Sequence, residues 1–264
     1  MHDESAWVVR TMRAVCALAL LIIYVPPLYL LLLSFNPGLL PDVPSLTDVG
    51  LKWYGELLGE ERMFAALRES LIVGLLTAVL ATLVALPAAL AYMEMRRGRV
   101  LWFNFVVFSM FVPGVVQGLA LSVIFRVIDL KPTAWTIVAG HLLWALPFAF
   151  IVILTSLSVL KRNLVLAALD LGASWPRAVV DIVLPLIRPG IAGALLFSFL
   201  LSFNEFSRAY YLVGATDTLP IYMFGQMNAG TSPTIYALAG STLMLSLACV
   251  GVVVLVLAWR RARR

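Results

Sequence analysis

The chain has 264 residues, 62% of them apolar and only 12% Asp, Glu, Lys or Arg. A soluble domain carries about a quarter charged residues, so this composition argues against a cytosolic enzyme, a nucleic-acid-binding domain or a disordered chain. The mean hydropathy of +0.99 agrees, and the class that remains is a polytopic helical membrane protein. The net charge of +5 comes from 19 basic and 14 acidic residues. Its clusters, Arg96, Arg97 and Arg99, then Arg260, Arg261, Arg263 and Arg264, sit at the ends of apolar runs. That placement fits membrane topology rather than phosphate binding.

Charge-free stretches predict six spans, at residues 14–33, 70–93, 100–125, 133–157, 189–206 and 235–259, in one membrane domain covering 1–264. Each is near or above the length that crosses a hydrocarbon core, and in lipid only internally satisfied backbone is stable, so an all-α fold is expected. The first run lacks a small-x-small site after it and reads as a retained span rather than a cleaved leader. A short helix is expected around Trp53 to Leu58 in the long connection that follows. Cys16 and Cys249 lie within apolar runs and read as small hydrophobes. With His2 and His141 the only histidines, no metal site is expected.

Six spans put both termini on one side. On that side lie Arg10, Arg13, Arg96, Arg97, Arg99, Lys161, Arg162, Arg177, Arg188, Arg260, Arg261, Arg263 and Arg264, thirteen in all. On the other lie Lys52, Arg62, Arg68, Arg126, Lys131 and Arg208, six in all. The bias predicts cytoplasmic termini and a cytoplasmic loop at residues 161–188.

That loop is the informative segment. Leu164, Ala167, Ala168 and Leu171 share a helical face at i, i+3, i+4, i+7 spacing. Gly172 suits a left-handed helix end, and Trp175-Pro176 begins a second helix. The pattern describes a helix–turn–helix knob with small residues at its turn, a shape for docking rather than catalysis. None of Lys52, Lys131 and Lys161 follows a glycine, so a Gly-Lys-Ser/Thr phosphate loop is absent.

The loop resembles the signature of the permease subunits of ATP-binding-cassette importers: Glu-Ala-Ala, three residues, Gly, nine residues, Ile-x-Leu-Pro. Here Ala167-Ala168, Gly172 and Ile182-Val183-Leu184-Pro185 stand at that spacing, with Leu166 in place of the usual Glu. Leu51-Lys52-Trp53-Tyr54, Asn204-Glu205-Phe206 and Thr218-Leu219-Pro220-Ile221-Tyr222 are similar to the spermidine/putrescine subgroup. The resemblance implies a type I importer permease fold in a bacterial inner membrane, with Leu166, Ala167, Ala168, Asp170, Gly172 and Ala173 coupling to a dimer of cytoplasmic ATPase subunits. It also implies a second, non-identical permease, a periplasmic or extracellular solute-binding protein, and ATP and Mg held by the ATPase, with no cofactor on this chain and no catalytic residue. With Leu166 at that position, the salt bridge that the Glu would make to the ATPase is not implied, while the docking geometry is.

For the solute path the candidates are Pro113 and Gln117, where Pro and Gly interrupt the third span, and Asn204 and Glu205, the most polar pair near the membrane. A free Glu205 would attract a cation such as a polyamine; a Glu205 paired with Arg208 one turn on would be a structural feature of the helix end. His141 reads either as a packing histidine or as a solute contact. The competing readings are a secondary transporter driven by an ion gradient, which would need a charged group in mid-span, and an importer for an opine, a phosphonate or another small solute.

Overall fold

A computed structural model describes residues 2–40, 42–45, 47–230 and 233–262. Arg263 and Arg264, half of the basic tail, lie outside the described residues. Helix dominates: α1 (His2–Leu33), α2 (Lys52–Leu58), α3 (Glu61–Glu94), α4 (Arg99–Val107), α5 (Gly114–Val127), α6 (Ala134–Ser158), α7 (Arg162–Asp170), α8 (Trp175–Ala178), α9 (Leu184–Leu186), α10 (Arg188–Phe203), α11 (Ala209–Leu212), α12 (Leu219–Ala229) and α13 (Thr234–Ala262). The short helix expected near Trp53 is α2.

Among the described residues, four helices are long and apolar enough to cross a membrane: those at Trp7–Leu33, Glu61–Glu94, Ala134–Ser158 and Thr234–Val252. Two further helix pairs are long and apolar enough only when taken together, and each is bent. Arg99–Phe111 and Gly114–Val127 meet at 94°, and Trp175–Leu186 and Arg188–Phe203 meet at 71°. The third predicted span is therefore not one continuous helix. Pro113 has no N–H to continue the ladder and forces Val112 into extended backbone, with ψ 128°. The fifth predicted span stops at Phe203, so Asn204 and Glu205 belong to the turn that follows rather than to the helix.

The chain divides into two compact units: residues 1–61 with 223–248, and residues 62–222 with 249–264. In the first, the Ser34 and Tyr54 hydroxyls hydrogen-bond at 2.6 Å. Gly240 leaves room for this pair, because an added Cβ would lie 2.7 Å from the Tyr54 hydroxyl. In the second, the small residues Ala81, Ala85 and Ala89 of α3 let large side chains of α6, among them Phe150, Ile153 and Leu157, pack into one buried cluster with Val179 and Val183. Small residues are what allow helices to approach closely where lipid supplies no hydrophobic drive.

Helix ends in the second unit are satisfied by side chains. Thr133 and Thr136 form a capping box at the start of α6. The Thr136 hydroxyl also donates to the Leu212 carbonyl at 2.9 Å, closing the end of α11. The Ser70 hydroxyl accepts the first N–H of α12, from Leu219, at 2.7 Å.

Candidate functional site

Two regions hold the residues of interest. The first is the loop around Gly172. Helix α7 ends with the Gly172 N–H bonded to the Leu169 carbonyl and the Ala173 N–H bonded to the Ala168 carbonyl. Gly172 has φ +90°. Crossed bonds of this kind with a left-handed glycine form a Schellman stop, which ends a helix sharply. Val165 and Leu169 point into a hollow shared with Met93, Leu157, Trp175 and Val179. The opposite face, Leu164, Ala167 and Leu171, is exposed, and Leu171 is 89% accessible. Leu166 and Asp170 are exposed, while Ala168 and Ala173 are half-buried. The knob thus anchors one apolar side and presents another. Arg162 at its root reaches Glu94 at the end of α3 at 3.3 Å, a pair exposed enough to contribute under about 1 kcal/mol.

The second region is built around the broken span. In a continuous helix the N–H of residue 113 would bond the carbonyl of Ser109. Proline supplies none; the Ser109 carbonyl accepts the Val112 N–H at 3.3 Å and the Gln117 side-chain amide at 2.5 Å instead. The amide oxygen of Gln117 then accepts from Arg208 Nε at 2.6 Å. Arg208 Nη1 donates to Glu205 Oε2 at 2.9 Å, and the Arg208 backbone N–H donates to Glu205 Oε1 at 3.0 Å. The guanidinium lies 4.8 Å from the centroid of the Trp144 ring. Gln117, Glu205 and Arg208 are all at least nine-tenths buried.

Three glycines make room for Arg208. A Cβ on Gly114 would meet Arg208 Nη1 at 2.9 Å, and one on Gly118 would meet the Arg208 Cα and carbonyl oxygen at 3.0 Å. One on Gly140 would lie 3.6 Å from Arg208 Cβ and would clash with Leu212 Cδ1. One turn before Trp144, His141 Nδ1 bonds the Ser202 hydroxyl at 2.7 Å, while its Nε2 is buried without a partner among the described residues.

The structure therefore brings Pro113, Gln117 and Glu205 together but leaves Asn204 apart. Asn204 is exposed and its amide returns to the Leu200 carbonyl of its own helix at 2.9 Å. The cluster contains a full ion pair, so Glu205 is not a free carboxylate. Arg208 was counted with the outer loops on sequence, yet it is 3% accessible. Nothing in the local sequence of Trp144 marks it, since the cation that it faces lies in a distant segment. Among the described residues no group of three His, Cys, Asp or Glu is placed to hold a metal ion.

Long apolar helices, two bent helix pairs and an exposed helical knob describe a multi-span helical membrane protein. The profile of the family described as "Binding-protein-dependent transport system inner membrane component" matches residues 70–263, and the chain belongs to that family. It is a transmembrane permease subunit of an ABC importer. Escherichia coli (strain K12) PotC, a spermidine/putrescine transport system permease protein, is 28% identical over 230 residues, 86% of each chain. PotI of the same organism, a putrescine transport system permease protein, is 32% identical over 241 residues, covering 88% of this chain and 83% of PotI. Among solved structures, a bacterial ABC transporter involved in alginate import superposes with a TM-score of 0.72 at 18% identity, covering 98% of this chain and 96% of that one. An alginate transporter in complex with a periplasmic protein gives 0.69 at 17% identity, with 96% and 93% covered. These two share the fold.

Proposed function

We propose that the chain forms one half of a polyamine-conducting pathway, driven by ATP hydrolysis on a separate cytoplasmic ATPase. The observation that carries this reading is the similarity to PotC and PotI over most of the chain. The charge of Glu205 does not carry it, because that charge is already paired. ATP and Mg belong to the ATPase dimer, and this chain needs no cofactor. A second, non-identical permease completes the pathway, and a solute-binding protein delivers the solute. The path passes Pro113, Gln117 and Glu205, with Asn204 at its edge. Uptake of labelled putrescine and spermidine by the reconstituted transporter tests the solute; transport of neither removes the polyamine assignment.

The Gly172 knob docks on the ATPase through Leu166, Ala167, Ala168, Asp170, Gly172, Ala173 and the exposed Leu171. Support comes from its sharp stop and its uncovered apolar face. A valine at Gly172 meets open space but must hold φ +90°, which a β-branched side chain resists. Gly172→Val is expected to leave membrane insertion intact while weakening ATPase association and lowering transport together. A pull-down and a transport assay check this, and full association with full transport would count against docking. Because Leu166 stands for an acid, Leu166→Ala should weaken association more than added salt does.

Both termini and the Gly172 loop lie in the cytoplasm in this reading. With Arg208 buried, the basic residues divide thirteen to five rather than thirteen to six, a stronger bias for the same orientation. After replacement of Cys16 and Cys249, a cysteine at position 170 should be labelled only from the inner side. Labelling by an impermeant reagent in intact cells would reverse the topology.

A further inference from the structure

We propose that Glu205, Gln117 and Trp144 form a cation site for the amino end of a solute, and that Arg208 is its tethered occupant, exchanging with the solute during transport. The proposal rests on the reading that this permease conducts an aminated solute. A carboxylate, an amide oxygen and an indole face are the groups that hold an ammonium or a guanidinium. Here they come from three separate elements, the turn after α10, α5 and α6, and converge on one guanidinium. The remaining wall is made by Gly114, Gly118 and Gly140, so the space is shaped by side chains that are missing. On α6, three residues before Trp144, His141 Nε2 is a further buried polar atom, without a partner among the described residues.

The occupant is attached to a small element. Arg208 precedes the four-residue α11, which has non-helical chain on either side. The site does not tolerate vacancy. Withdrawal of Arg208 alone leaves the carboxylate of Glu205 buried and unpaired, which is strongly unfavourable. Arg208 therefore leaves when another cation takes its place. A primary ammonium offers three donors on one compact charge and satisfies both Glu205 Oε2 and Gln117 Oε1. Movement of α11 is in this way conditional on a cation's presence, and the pathway does not open on an empty permease.

The test uses the whole transporter in lipid nanodiscs, with melting temperature as readout. Arg208→Ala is expected to melt lower than wild type. Millimolar methylguanidinium and putrescine should each raise its melting temperature by at least about 3 °C, with sodium or tetramethylammonium at equal ionic strength giving under about 1 °C. Wild type should respond to neither cation by more than sodium does, and Glu205→Gln combined with Arg208→Ala should lose the response. Equal effects of all cations on Arg208→Ala overturn the proposal, as does a response to methylguanidinium without one to putrescine. If Arg208→Ala does not assemble, Arg208→Lys keeps a charged but less firmly held occupant. Its putrescine response should then exceed that of wild type, and equality overturns the proposal. Labelled putrescine uptake by wild type separates the two readings. Cation responses without uptake leave the site standing and remove the polyamine assignment; uptake without cation responses removes the site.

Discussion

Glu205→Gln is expected to destabilise the permease by about 3–5 kcal/mol, and Arg208→Gln by a similar amount, because each leaves the other charge buried without its partner. The two side chains are 9% and 4% accessible, so water cannot take over the lost contact. A neutral Gln at both positions removes the charge altogether and keeps hydrogen-bonding groups of similar size. The double variant should therefore recover most of the loss, and the coupling between the two sites should exceed about 2 kcal/mol. Denaturant titration of the four proteins in detergent measures this. Single changes that each cost less than about 1 kcal/mol would place the pair in solvent rather than in the protein. Stability and transport should separate in the double variant: it folds well, yet it lacks the carboxylate of the proposed cation site.

Gly118→Val should be nearly as damaging, through shape alone. Its first added carbon lies 3.0 Å from the Arg208 Cα and carbonyl oxygen, which are backbone and cannot swing aside as a side-chain end would. Overpacking of this kind costs about 1–3 kcal/mol, and a β-branched residue gains little of the helix propensity that replaces glycine's deficit. Gly118→Ala recovers about 1 kcal/mol of propensity against the same collision and should be milder. Gly225 and Gly251 also lie in helices, but nothing stands within 4 Å of an added Cβ there. Alanine at those positions should be neutral or stabilising by up to about 1 kcal/mol. A melting series over the four variants checks the order. A Gly118→Val protein as stable as Gly225→Ala would mean that α5 and the Arg208 turn are not in close contact.

The spans were legible because charge is so expensive in lipid that its absence marks their extent. The loop around Gly172 was legible because a helix stop is a local event: the left-handed glycine and its crossed bonds involve only neighbouring residues. The central cluster was legible only in part. Gln117 and Glu205 stand out as polar residues in apolar runs, and Arg208, three residues past Glu205, is legible as a partner for its carboxylate, but not as a buried charge. Its burial depends on Gly114, Gly118 and Gly140, which are distant in sequence; Gly114 and Gly118 read as interruptions of the third span, not as the wall of a buried side chain. Asn204 and Glu205 were grouped because they are adjacent. Adjacent residues near a helix end project in directions roughly 100° apart, and one faces the protein while the other does not. The 94° bend was also only half readable: Pro113 predicts an interruption, but its angle depends on what packs beside it.

The bond between Gln117 and Arg208 joins residues 91 positions apart. At a synthesis rate of about 5–20 residues per second, some 5–20 s pass between the appearance of Gln117 and that of Arg208. For that interval the side chain that covers the Ser109 carbonyl has an amide oxygen awaiting its donor. Arg208, by contrast, is preceded by Glu205 by only three residues, so its charge is neutralised almost as soon as it is made. Biogenesis thus has an intrinsic order: a local ion pair forms first, and its docking against the waiting glutamine completes the third crossing last. Until the turn that carries Arg208 has been synthesised, the Gln117 amide oxygen lacks the donor that it has in the folded chain.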